Sequence, residues 1–264
     1  MRHSEGGESN MSQKNFLSAI IIAKNEAVRI ASCLDALTFC DEVLVADNGS
    51  VDDTLSIARA HGAKTVFFHT DDFALLRNKA LSRASGDWVL YIDADEIVSQ
   101  ELATAIRRIV DSWQEGQPTS YRLCRVNYYL GKRWPGNERM LRLFKREALF
   151  HWEGELHETP KITGVAGEVA GELLHDTHRS LSEMVEKTNE WSETEAQLRF
   201  SAHHPTVSWW RLLRVMATGF WRSFVVLGGW RAGTVGWIES MYQGFSLFIT
   251  YAKLWEKQAG KQTK

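Results

Sequence analysis

Residues 88–96 read Trp-Val-Leu-Tyr-Ile-Asp-Ala-Asp-Glu. Five apolar residues, mostly bulky or β-branched, stop abruptly on three acids within four positions. Such a run suits a strand buried on both faces, and its polar end suits the rim of a crevice. Three further runs of this kind precede it, at 17–23, 42–47 and 63–69. Between them, 26–37, 52–61 and 73–84 carry apolar residues at three- and four-residue spacing, which predicts helices. Ser50 is placed to cap the second helix, Asp53 to complete a capping box, and Gly62 to end it. The alternation predicts an α/β fold with parallel strands.

In open parallel sheets ligands collect beyond the carboxyl ends of the strands. The polar clusters of this sequence fall at those ends: Lys24-Asn25-Glu26 after the first strand, Asp47-Asn48-Gly49-Ser50 after the second, and Asp93-Ala94-Asp95-Glu96 after the fourth. Alternate residues of a strand share one side, so Asp93 and Asp95 could share a hard divalent cation, Mg2+ or Mn2+. A cation there would offset the charge of a diphosphate. Asp47 could accept hydrogen bonds from a base or ribose, or simply close a tight turn with Asn48-Gly49. Arg77, on the third helix, could make a surface ion pair or reach a base or diphosphate.

From 121 to 176 the pattern changes to short extended pieces broken by Gly and Pro, including 139–145 and 152–157, which predicts a smaller, partly antiparallel region. Residues 180–200 predict a polar amphipathic helix. Residues 1–14 are polar, lack the apolar stretch of an export signal, and read as a disordered extension with Met11 as a possible start. The remaining boundaries are 15–178 for the α/β domain and 179–264 for a helical extension.

The 264 residues carry 31 Lys or Arg, 33 Asp or Glu and a net charge of -2. Nothing in that balance calls for nucleic acid. The charge is uneven, however: from 205 to 264 eight basic residues face two acids. Three cysteines, Cys33, Cys40 and Cys124, have no metal-ligand spacing and read as reduced thiols of a cytoplasmic protein. No G-x-G-x-x-G follows the first strand, which argues against a dinucleotide-dependent dehydrogenase.

Four ordered stretches together resemble the nucleotide-binding motifs of family 2 glycosyltransferases: Ile-Ile-Ala-Lys-Asn-Glu (21–26), Val-Ala-Asp-Asn-Gly-Ser-Val-Asp-Asp-Thr (45–54), Leu-Arg-Asn-Lys-Ala (76–80) and 88–96. Arg142-Leu-Phe-Lys145 and Gly154-Glu-Leu-His-Glu158 are similar to a subgroup that includes bacterial lipopolysaccharide inner-core β-1,4-glucosyltransferases. The resemblance, over roughly 15–255, implies a GT-A (Rossmann-like) fold and inverting transfer of a sugar, glucose from UDP-glucose, to a saccharide of the lipopolysaccharide core. It sets Ala23 and Glu26 beside the base, Asp47 and Arg77 on uracil and ribose, Asp93 near the ribose, and Asp95 on the metal. Asn48 stands where many members carry a second Asp. A polyprenyl-phosphate glycosyltransferase and a non-catalytic nucleotide-sugar binding module are the alternatives.

Single-displacement inversion needs a base for the acceptor hydroxyl. Glu153, Glu155 and Glu158 are the candidates, expected along one strand. The subgroup motif favours Glu158, with Glu155 as the alternate and His157 orienting it or joining the metal; His175 and His178 are further histidines within sequence reach. In the tail, Trp209, Trp210, Trp221 and Trp230 mix with Arg211, Arg214, Arg222 and Arg231, with no acid from 206 to 232. Indoles and arginines suit an anionic membrane surface, here the inner face of the bacterial inner membrane carrying a lipid-linked acceptor. The other reading packs the aromatic residues on the catalytic domain. Charges interrupt the stretch too often for a spanning helix, and the uncharged run 240–252 is too short for one.

Overall fold

The computed structural model describes residues 15–70, 72–154 and 158–262. The extension 1–14, Glu155 and His157 therefore lie outside the described residues.

Strand β1 (Leu17–Ala23) is flanked by β2 (Glu42–Asp47) and β4 (Trp88–Asp93), both parallel to it, and β3 (Lys64–Phe67) runs parallel to β2. Helices α1 (Ile30–Asp35), α2 (Thr54–Ala60) and α3 (Phe73–Leu81) make the connections. Near-continuous burial along β1 and β4 explains their unbroken apolar sequences, because helices cover a parallel sheet. Register does the positioning: Ala23 pairs with Asp47 and Ile22 with Asp93, so three polar strand ends finish level.

Beyond these lie β5 (Glu96–Val98), α4 (Gln100–Ser112), β6 (Ser120–Tyr129), β7 (Lys132–Lys145), the hairpin β8 (Leu149–Glu153) and β9 (Thr159–Ile162), and β10 (Ala166–His178). Eight strands join in the order β3-β2-β1-β4-β7-β6-β10-β5, with β7 antiparallel to β4. The expected short pieces of 121–176 are thus mostly long strands that extend the main sheet. Gly131, at φ 73, closes the two-residue turn between β6 and β7 with Leu130, and the chain pairs on without a break. The expected single strand over 152–157 is also corrected: β8 stops at Glu153, and Gly154 at φ 100 turns the chain.

The chain divides into two compact units. One takes the described parts of Met1–Leu123 and Met140–Glu172; the other takes Cys124–Arg139 and Leu173–Lys264. The first is cored by residues such as Ile20, Leu44, Val89, Tyr91, Phe144 and Trp152. Glu42 is buried at its lower edge, where Ser18, Ser85 and Lys64 all donate to its carboxylate. In the second, α5 (Leu181–Ser201) and α6 (Trp209–Trp221) both pack on the long α7 (Thr234–Gln262), which absorbs the uncharged run 240–252. Ser180 caps α5 by accepting from Glu183 N.

Candidate active site

The first unit gathers its buried charges at the level strand ends. Arg77, on α3, donates through Nε to Glu158 Oε1 at 3.1 Å and through Nη2 to Asp93 Oδ1 at 3.0 Å. Its guanidinium lies 5.0 Å from the Trp152 ring centre and 5.7 Å from that of Tyr91, an aromatic bed that fixes a planar cation. The Nη1 atom is buried without a hydrogen-bond partner among the described residues. Asn78, the next residue, exchanges two hydrogen bonds of 2.8 Å with the backbone of Trp152. Strand β8 and Glu158 are thereby bound to two successive residues of α3.

Asp93 receives a second guanidinium from the opposite side. Arg142 on β7 donates to Asp93 Oδ2 at 2.6 Å and Oδ1 at 3.3 Å, and reaches Glu96 Oε1 at 3.3 Å. Glu96, fully buried, closes the circuit by accepting from Asp93 N at 2.9 Å. Burial opposes ionisation of Asp93, but the charges of Arg142 and Arg77 overcome it and hold the carboxyl well below the usual range. Burial likewise opposes the charge on Arg142, and Asp93 and Glu96 more than restore it. Cys33 lies below this cluster. Burial, then the charges of Glu96, Asp95, Asp93 and Glu26, push its thiol well above its ordinary value.

Ala23 accepts from Asn48 N at 2.9 Å, joining the first two strand ends. Asp47 is fully buried, and its carboxylate accepts from Gly49 N, Ser50 N and Ser50 Oγ. The capping expectation for Ser50 is corrected here. Its hydroxyl serves Asp47 and accepts from Asn25 N at 2.9 Å, leaving Asp53 at the helix start without a side-chain cap bond. Asp52 and Thr54 continue the pattern: Thr54 Oγ1 accepts from Glu26 N at 2.8 Å and Asp52 Oδ2 from Ala27 N at 3.1 Å. Three successive amides of the first loop are thus held by three side chains from the second loop and the first residue of α2. Glu26 itself accepts from Arg29 Nη1 at 2.9 Å.

Asp95 sits half-buried in the turn after β4, so the two aspartates are divided between a strand end and a turn. Asp93 is committed to two guanidinium groups, and Asp95, in the turn, is a carboxylate of the kind that Mg2+ and Mn2+ take as a ligand. Among the described residues no three His, Cys, Asp or Glu converge on a common point. One carboxylate, completed by diphosphate oxygens and water, is a ligand set that Mg2+ and Mn2+ accept. Glu153 is separate from the cluster, pairing with Lys161 across the β8–β9 hairpin at 2.8 Å. His175 and His178 belong to the second unit, where His175 meets Asn127 at 2.8 Å and His178 meets Glu239 at 3.0 Å.

Arg142 and Glu96 were given no role by their sequence motifs. The signal lay in burial chemistry: an arginine beside Leu143 and Phe144 on a central strand requires a carboxylate partner.

Comparison with known proteins places this chain in a family. The chain is 30% identical over 252 residues to an uncharacterized glycosyltransferase of Rickettsia prowazekii, covering 90% of this chain and 86% of that one. It is 28% identical over 257 residues to the lipopolysaccharide core biosynthesis glycosyltransferase LpsC of Rhizobium meliloti, covering 93% and 94%. Among solved structures, glucosyl-3-phosphoglycerate synthase from Mycobacterium tuberculosis, in complex with Mn2+, UDP and phosphoglyceric acid, matches at 20% identity and TM-score 0.45, covering 64% of this chain and 73% of that one. Residues 18–170 match the domain described as Glycosyl transferase family 2. With three of the four motifs at the ends of β1, β2 and β4 and the other on α3 of a GT-A fold, the chain belongs to glycosyltransferase family 2.

Proposed function

We propose that this glycosyltransferase moves glucose from UDP-glucose, with inversion, onto a lipid-linked saccharide of the lipopolysaccharide core at the cytoplasmic face of the inner membrane. The observation that carries the reading is the link from Glu158 through Arg77 to Asp93, which joins a candidate base to the nucleotide end of the sheet. The acceptor class rests on the likeness to LpsC. Residues 15–178 form the transferase domain in this reading, and 179–264 the helical extension.

Ala23, Glu26 and Asp47 flank the base, Arg77 offers its unpaired Nη1 to the uracil or diphosphate, and Asp93 approaches the ribose. Asp95 and His157 would hold the divalent cation, which would offset charge on the leaving UDP. Glu158 takes the acceptor hydroxyl proton as that oxygen bonds to C1 of glucose and the C1–O bond to UDP breaks. Glu155 is the alternate base.

The test is UDP release from UDP-glucose with Mg2+ or Mn2+, with a core oligosaccharide or with polyprenyl phosphate as acceptor. Release dependent on the oligosaccharide supports the proposal. Transfer to polyprenyl phosphate alone would replace the acceptor, and UDP-glucose binding without turnover would leave only a binding module.

A further inference from the structure

Helix α6 in the second unit has two apolar sides. One side, with Val215 and Gly219, is buried. The other faces water, where Trp209, Leu213, Ala217 and Trp221 recur at four-residue intervals and so form a line along the helix. Trp209 is 75% exposed, Leu213 54% and Trp221 61%. The line runs on through the wider helical turn that follows α6 at 222–226, where Val226 is 67% exposed, to Leu227, 46% exposed, and ends at Trp230, 56% exposed. A surface helix normally turns polar residues to water; this one turns its largest apolar ones.

The charges on this surface are of one sign. Arg211, Arg214, Arg222 and Arg231 accompany the line, and no acid occurs from 206 to 232. Arg214 lies 5.2 Å from the Trp210 ring centre and Arg231 5.1 Å from that of Trp230, so cation and indole are presented together. A second copy of the chain would set its arginines against these with no acid to pair them. A bilayer with anionic headgroups supplies phosphates for the guanidinium groups and an apolar boundary for the indoles. No helix among the described residues is long and apolar enough to cross a membrane.

We propose that α6 lies in the plane of an anionic phospholipid bilayer, with the line from Trp209 to Trp221 in the interfacial layer. The Val225, Val226 and Leu227 side chains enter beneath the headgroups, and Arg214, Arg222 and Arg231 rest on the phosphates. This deepens the membrane location of the proposed function and rests on it.

Flotation with phosphatidylcholine vesicles, with and without phosphatidylglycerol, at low and high salt, tests the assignment. Wild type should float with the anionic vesicles and be partly released by salt. Each arginine near such a surface contributes about fivefold in partitioning, so Arg214→Glu with Arg222→Glu should lose roughly thirtyfold or more. Val226→Asp with Leu227→Asp should lose binding that salt does not modulate, and brominated lipid should quench wild-type tryptophan emission. All variants should keep the UDP-glucose thermal shift of wild type, because the substituted residues lie outside the nucleotide unit. Equal flotation of wild type and both variants overturns the proposal. So does failure of wild type to float, or a self-association that the Val226 and Leu227 changes abolish. Turnover with a detergent-solubilised acceptor reads the transferase assignment separately, and it can survive any of these results.

Discussion

Arg77 pairs two carboxylates that sequence separates by 65 residues, and its position explains how Glu158 is aimed. If Glu158 is the base, Glu158→Gln keeps the side-chain shape and an acceptor oxygen for Arg77, yet cannot take a proton. Donor binding measured by thermal shift should persist while UDP release falls by about a hundredfold or more; unchanged turnover would exclude Glu158. Arg142 stands on the other side of Asp93, buried among strands, and its removal leaves Asp93 and Glu96 without their shared cation. Arg142→Met should cost roughly 3 kcal/mol in urea unfolding, the range seen when one partner of a buried ion pair is deleted. A loss well below 1 kcal/mol would mean that water or Arg77 compensates.

At the scale of elements, β1, β2 and β4 have the bounds their apolar runs predict, because burial on both faces demands an unbroken run with a polar stop. Helix ends were less legible. α1 begins four residues after the expected start, because Asn25, Glu26 and Ala27 are held in the loop by Ser50, Thr54 and Asp52, a tertiary competition that local spacing does not reveal. The long β7 and β10 were obscured by Gly and Pro that the sheet tolerates. At the site, residue types pointed to the strand ends, whereas the Arg142–Asp93–Glu96 circuit needed pairing across strands. In the second unit α6 and α7 meet at glycines: a Cβ on Gly244 would lie 2.7 Å from the Met216 carbonyl oxygen. Gly244→Ala gains up to about 1 kcal/mol of helix propensity but forces the helices apart. Overpacking should win, with a net loss on the order of 1–2 kcal/mol in denaturation. Stabilisation by alanine would show that the helices separate at little cost.

Over the whole molecule, charge is segregated: residues 205–264 hold a surplus of six positive charges within a chain of net -2. If a divalent cation joins Asp95 to the diphosphate, UDP-glucose and Mn2+ together should raise the melting temperature by several degrees at ligand concentrations about a hundredfold over Kd. Chelation should remove most of that shift, and an undiminished shift in EDTA would remove the cation from donor binding. The first loop of the candidate site has a further consequence, in time and not in space. Asn25, Glu26 and Ala27 belong to no helix or strand, yet each of their amides donates to a side chain of residues 50–54, at the start of α2. In hydrogen–deuterium exchange these three should label as slowly as the strand that precedes them, so that one of the least regular stretches of the backbone is among the last to admit solvent.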